Sequence, residues 1–253
     1  MPKKTNKYLP LLLIIILVAC NMFTASEKDL TYIKGIYYYK NTKKPFNGIT
    51  KDYNSLGNIY SEYNYKDGKR HGKAKIWWDN GQLEFEGNYE NGKKVGTFKG
   101  WYKNGKMGAI RTYKNGVEEG EWKIWHENGN LKEQGQNKNG LKCGKWNWYY
   151  ENGKPWIEAN FSNGLEDGPW TAWYTNGQKR EVINYCNGKK NGLWLEWDDK
   201  GHLISKGLYI NGKENGNWYY FFPNGKLKTE VYYENGNLIS EQNYDTFGNP
   251  IKN

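Results

Sequence analysis

Glu119-Gly120-Glu121-Trp122-Lys123-Ile124-Trp125-His126-Glu127-Asn128-Gly129-Asn130-Leu131 reads as a strand, a tight Asn-Gly turn and the start of a returning strand. Nearly everything from Gly48 onward is this unit written again. One glycine series runs Gly68, Gly92, Gly116, Gly140, Gly164, Gly188, Gly212 and Gly236, each 24 residues after the last. A second runs from Gly57 through Gly81, Gly105 and Gly129 to Gly225, and a third from Gly48 through Gly72, Gly96 and Gly120 to Gly216, both with the same step. Three interleaved series in one register make the chain a repeat protein.

Asn or Asp precedes every glycine of the first series, and Asn precedes most of the second from Gly81 on, with Lys200 the exception. Asn-Gly between strand-like runs is a hairpin signal, because a type I′ turn needs positive φ at both central residues. The gaps alternate between 11 and 13 residues, so each repeat holds two strands of about 7–8 residues and two turns. Asn80-Gly81 reads as the two-residue loop; Asn91-Gly92-Lys93-Lys94-Val95-Gly96 reads as the longer one, with a bulge. The expected fold is all-β: an elongated antiparallel meander, single-layered or curled, over residues 33–253, with degenerate caps at about 33–67 and 237–253. A mean hydropathy of −1.01 with 17% aromatic residues leaves burial to the rings and suits a thin sheet.

A two-residue turn at Asn80-Gly81 sets 74 opposite 87 and 78 opposite 83. Carried through the repeats, Ala74, Phe98, Trp122, Trp146, Trp170, Trp194 and Trp218 then face Gly87, Arg111, Gly135, Ala159, Ile183, Gly207 and Val231. Large rings opposite small residues predict aromatic coverage of bare backbone. Leu83, Leu131, Leu203 and Leu227 are placed on this same face. Trp77, Trp101, Trp125, Tyr149, Trp173, Trp197 and Phe221, with Tyr53 before them, lie three residues further on and so on the opposite face. That ladder, with rings recurring every ~10 Å, is either buried by curling of the sheet or exposed as a candidate binding surface.

Residues 1–20 stand outside the repeats. Lys3, Lys4 and Lys7 precede an apolar run from Leu9 to Val18 that is too short to span a bilayer. Leu17-Val18-Ala19-Cys20 resembles the bacterial lipoprotein box, in which the cysteine becomes the acylated first residue; an ordinary secretory signal or an uncleaved anchor are the alternatives. The resemblance implies a lipid-anchored protein of the cell envelope, on the outer membrane if the organism is diderm. Residues 21–32 read as a tether.

The net charge is +10, but the lysines recur at turns along the whole chain. They read as solubilising edge and turn residues, and no nucleic-acid partner is expected. Cys143 and Cys186 fall two repeats apart, about 19 Å along the sheet, which excludes a disulfide. His71, His126 and His202 occupy three different phases, so neither a metal site nor a His-based dyad assembles. Gly87 to Lys94 echoes a phosphate loop but lacks its Ser/Thr and its helix. The chain is expected to be no enzyme and to need no cofactor or metal.

The pattern Tyr-x-Asn-Gly-Lys-x-x-Gly-x-Trp, as in Tyr209 to Trp218, and its continuation Trp-x-x-Trp-x-x-Asn-Gly-x-Leu-x-x-x-Gly from Trp122 to Gly135 resemble the bacterial variant of the MORN repeat, including the YwqK-type antitoxin family. The resemblance implies a protein-interaction scaffold or an immunity partner of a secreted toxin; the ladder offers a glycan-contacting envelope protein as the alternative. It carries over no catalytic residues, and the chain has no room for the kinase domain that accompanies some MORN repeats.

Overall fold

A computed structural model describes residues 24–251. Cys20 and the leader therefore lie outside the described residues. The repeats form one antiparallel meander from Gly48–Tyr53 to Asn237–Asn243, each strand paired with the next. Its strands run mostly 8–9 residues, and the sheet does not close on itself. At ~4.8 Å per strand it extends on the order of 80 Å along the repeat axis.

The two turn types are the reverse of the sequence expectation. Asn91 has φ 50° and Gly92 φ 82°, and Glu90 pairs directly with Lys93, so this is the two-residue type I′ turn. The same positive φ recurs at Asp67, Asn115, Asn139, Asn163, Asn187, Asn211 and Asn235. At Asn80-Gly81, glycine alone has positive φ. Gly81 N–H donates to the Trp78 carbonyl (2.9 Å) and Trp78 N–H to the Gln82 carbonyl (2.8 Å), closing a three-residue loop with a bulge at the glycine. Trp78 thus faces Gln82, and Trp77 faces Leu83. A further bulge between Ile76 and Trp77 restores the expected pairing of Ala74 with Gly87. One register error cancels the other.

The longer feature anticipated after Asn91-Gly92 is a bulge inside the strand. Gly96 has φ 71°, and the register jumps from Asn88↔Val95 to Glu86↔Lys99 across it. Gly87 therefore faces a bend instead of a straight strand, and the bend lays Phe98 over it. A Cβ built at Gly87 would lie 2.3 Å from Phe98, at Gly135 2.2 Å from Trp146, and at Gly207 2.1 Å from Trp218. Trp122 does register with Gly135 and Trp194 with Gly207 as expected, but the nearest covering ring belongs to the following strand. Trp146 and Trp218 are consequently buried in what is otherwise a thin sheet.

The expected tether takes part in the fold. Thr24–Ala25 adds a parallel strand to Gly48–Tyr53, and a 3₁₀ turn follows at Glu27–Asp29. Glu27 pairs with Arg70 at 3.1 Å and accepts from the Tyr65 hydroxyl; Ser26 donates to Asp52. The degenerate N-terminal cap opens with a hairpin, Leu30–Ile33 with Ile36–Tyr39. Phe46, Tyr63, Tyr65 and Ala74 form the core beneath this cap, with Tyr37 and Tyr39 packed on it.

Candidate functional site

Two aromatic rows occupy the two faces of the sheet. Trp77, Trp101, Trp125, Tyr149, Trp173, Trp197 and Phe221 end alternate strands, and all are half-buried. Their face follows from two contacts. Gln134, paired with Asn147, donates to the Tyr149 hydroxyl (3.1 Å). Lys206 lies over both Tyr219 (4.8 Å) and Phe221 (5.7 Å). Asn147 and Tyr219 alternate with the buried indoles Trp146 and Trp218, so the ladder is on the opposite face as expected. The register sets the ladder across from Leu83, Leu131, Leu203 and Leu227, which corrects their expected placement beside the buried indoles; the bulge after Ile76 and its repeats account for the shift. No two ladder rings touch among the described residues, as a spacing of ~10 Å requires. The geometry offers a row of separate, part-exposed ring faces.

From Trp77 to Trp173, the residue after each ladder ring holds the next ring's backbone in place. Trp78 Nε1 donates to the Trp101 carbonyl (3.0 Å), Tyr102 to that of Trp125 (2.5 Å), Tyr150 to that of Trp173 (2.7 Å) and Tyr174 to that of Trp197 (2.9 Å). His126 Nε2 lies 3.0 Å from the Tyr149 carbonyl oxygen, which can only accept, so that nitrogen carries the proton. Beside these braces, the turn asparagines do a second job. Asn128 Oδ1 accepts from Asn130 N–H (2.9 Å) while its Nδ2 donates to the Glu151 carbonyl (2.7 Å). Asn80, Asn104, Asn152 and Asn176 repeat the cross-repeat bond. The brace column was legible as a polar-tipped ring at a constant phase; sequence reasoning passed over it.

On the buried-indole face the lysines do more than solubilise. Position 70 and its 24-residue successors read Arg70, Lys94, Glu118, Lys142, Glu166, Lys190 and Glu214, a column that alternates in sign from Lys94 on. Arg70 stands 3.8 Å from the Tyr63 ring centre, Lys94 4.8 Å from Tyr113, Lys142 4.3 Å from Trp146 and 4.5 Å from Trp148, and Lys190 5.0 Å from Tyr209. Burial pushes the Lys94 and Lys142 ammonium groups below the usual lysine range, with Glu118 and Glu133 respectively opposing the shift. These are cation–π contacts in aromatic cups.

Cys143 and Cys186 are free thiols. His202 bonds Asp198 (2.9 Å), and no group of three or more metal-ligating side chains occurs among the described residues. A family profile described as "MORN repeat variant" matches residues 70–91, 94–115, 118–139, 142–163, 166–187, 190–211, 214–233 and 228–246. No curated protein matches the chain. Among solved structures it is similar to a TcdB2–TccC3–Cdc42 crystal structure (12% identity, 82% of this chain, 14% of that chain, TM-score 0.21). It is also similar to a Photorhabdus luminescens Tc holotoxin pore (11% identity, 85% of this chain, 14% of that chain, TM-score 0.23). The chain thus spans 14% of the length of either structure.

Proposed function

The chain belongs to the MORN repeat variant family, and on that premise we propose that it is a non-enzymatic scaffold that holds another protein against its sheet. The observation that carries this reading is the ladder. Seven rings from Trp77 to Phe221 stand half-buried in one row, separated along the axis, and the five from Trp101 to Trp197 are braced at their carbonyls. Part-exposed aromatic faces on a rigid support are the residue type and setting that dominate protein interfaces. We extend the proposal to the leader: acylation at Cys20 tethers the scaffold to the envelope membrane. Within the family resemblance, a secreted toxin held as by an immunity protein is the partner class it favours. A glycan laid along the same rings is the competing reading, favoured by their even spacing.

Crosslinking and pull-down from intact envelopes tests it. Wild type is expected to retain a specific partner that Trp125→Ala with Trp173→Ala loses, while the far-UV spectrum stays unchanged. Undiminished retention by the double variant overturns the ladder as the binding surface. Tryptophan quenching by cell-wall polysaccharide, in the absence of any protein partner, decides for the glycan. Palmitate labelling that survives Cys20→Ser removes the anchor.

A further inference from the structure

The sign-alternating column leaves two aromatic cups, those at Glu166 and Glu214, without a cation over them among the described residues. At Arg70, Lys94, Lys142 and Lys190 the chain supplies the cation. At Glu118 the ring Trp122 receives Arg111 at 4.4 Å, and the carboxylate accepts from Asn137 Nδ2 (3.1 Å). At Glu214 the carboxylate is hydrogen-bonded by the Tyr209 hydroxyl. Glu166 differs. It is half-buried, and its carboxylate has no hydrogen-bond or ion-pair partner among the described residues. Its cup, Trp170 against Tyr185 at 6.4 Å, has no cation of this chain over it among the described residues.

A cleft of about 400 Å³ opens at this point, walled by Trp148, Trp156, Phe161 and Trp170 over Ala159, with Glu166 at its edge. Trp156 is 40% exposed. The same phase carries Tyr60 in the degenerate first repeat and Glu84, Gly108, Lys132, Arg180, Ile204 and Lys228 in the others, so among the regular repeats this one alone adds an aromatic there. The electrostatics choose the occupant. Ring faces and a carboxylate are both negative, so together they repel an anion and attract a cation. A neutral polyol would stack but bring Glu166 no ion-pair partner, since Lys142 attracts it only from beyond ion-pair distance. Lys142 also lines the cleft, held over Trp146, Trp148 and Phe161 and drawn first to Glu133, then to Glu166, which leaves Trp156 and Trp170 as the rings without a cation.

We infer that the cleft at Glu166 receives an arginine side chain of the protein partner, its guanidinium lying on the indoles and paired with the carboxylate. A guanidinium is planar, stacks on rings and meets a carboxylate through two N–H groups, which a lysine ammonium does not. The inference rests on the scaffold reading and names one contact that such a partner, reaching round the sheet, makes on the face opposite the ladder.

The test is a titration of the full chain with N-acetyl-arginine amide, followed by the indole N–H resonances, with N-acetyl-citrulline amide as the uncharged control of equal shape. Expected are saturable shifts centred on Trp156 and Trp170, weakened by salt, with citrulline binding at least about tenfold weaker. Glu166→Gln and, separately, Trp156→Ala are expected to abolish saturation without changing the far-UV spectrum. Equal binding of citrulline, unaltered binding by Glu166→Gln, absence of saturation, or shifts with methyl glucoside in place of arginine would each overturn the inference. If the pull-down partner is lost from the ladder double variant but kept by Glu166→Gln, the cleft is removed from the interface and the scaffold stands. Loss of neither removes both.

Discussion

Gly135→Ala isolates the device that buries the indole row. The backbone at Gly135 is outside the left-handed region, so alanine meets no φ penalty there. The cost is steric. The new Cβ would fall 2.2 Å from Trp146 Cδ2 and 2.3 Å from Cε2. Trp146 is 1% exposed, stacks on Trp148 at 5.8 Å, and donates from Nε1 to the Gln136 carbonyl (3.1 Å). With no free side to move to, the ring must shift into its neighbours, and overpacking of this kind costs about 1–3 kcal/mol. Trp146→Ala should itself cost about 3–5 kcal/mol. In that background the Cβ has space, and Gly135→Ala becomes neutral or stabilises by up to ~1 kcal/mol through lower chain entropy. The expected coupling is therefore about 1–4 kcal/mol, read from a double-mutant cycle. Hydrogen exchange of the 118–163 repeats is the appropriate assay, since repeat arrays depart from two-state unfolding. Equal destabilisation by Gly135→Ala with and without the indole refutes coverage as the reason glycine is there.

Tyr150→Phe removes the hydroxyl that donates to the Trp173 carbonyl (2.7 Å) while keeping the ring beside Trp156 (5.9 Å). A loss of about 0.5–1.5 kcal/mol, local to the 142–187 repeats in hydrogen exchange, is expected; no loss shows that the brace is ornamental. Alkaline stability follows from Tyr209 and Tyr220, whose hydroxyls burial pushes up to about 12. Groups raised in the folded state stabilise it below their unfolded pKa and lose that contribution as pH rises through the folded one. The melting temperature should therefore fall between about pH 10 and 12, and the fall should shrink in the Tyr209→Phe, Tyr220→Phe variant. A fall of the same size in that variant refutes the assignment.

The meander was legible because period and turn chemistry are local signals, and because the two errors of register at Asn80-Gly81 and Ile76 cancel. The turn assignment failed for a physical reason. Asparagine serves two ends: at Asn91 it tolerates positive φ, whereas at Asn80 it offers a side-chain amide to the next repeat. Both are written Asn-Gly. The discriminating sign was the third glycine four residues after the first, which marks a bend inside a strand; read as loop, it hid the step that carries Phe98, Trp146 and Trp218 over the glycines. The aromatic cups were illegible for the same reason, since Lys142 reaches Trp146 and Trp148 only once Gly144 has bent the strand. Residues 24–32 show no periodicity, and their attachment runs through single contacts such as Glu27 to Arg70 that no pattern announces. For the ladder, phase gave the face correctly but could not give the degree of exposure, which depends on the same bends.

The bonds that join repeats are not evenly distributed, and the gap in them sets where the array should open. From Trp78 to Tyr174 every repeat has a brace and every turn asparagine a cross-repeat amide bond. At the next repeat Asp198 replaces the brace and Lys200 the asparagine. Asp198 spends its oxygens within its own turn, on Lys200 N–H (3.0 Å), His202 N–H (2.8 Å) and the His202 ring (2.9 Å). On that edge the joint to the following repeat keeps its backbone ladder alone among the described residues, while the opposite edge retains the Gly212 and Gly236 bonds. Two missing hydrogen bonds at about 0.5–1.5 kcal/mol each make this joint weaker by roughly 1–3 kcal/mol. In a nearest-neighbour array, opening then propagates from the C-terminal side up to this joint before it reaches the central repeats. Native-state hydrogen exchange should show residues 213–243 exchanging at lower free energy than residues 83–173. Lys200→Asn supplies the amide in reach of the Pro223 carbonyl and should raise protection beyond residue 200 by about 1 kcal/mol. Uniform protection along the array, or no response to Lys200→Asn, would show that the backbone ladder alone sets the stability of each joint.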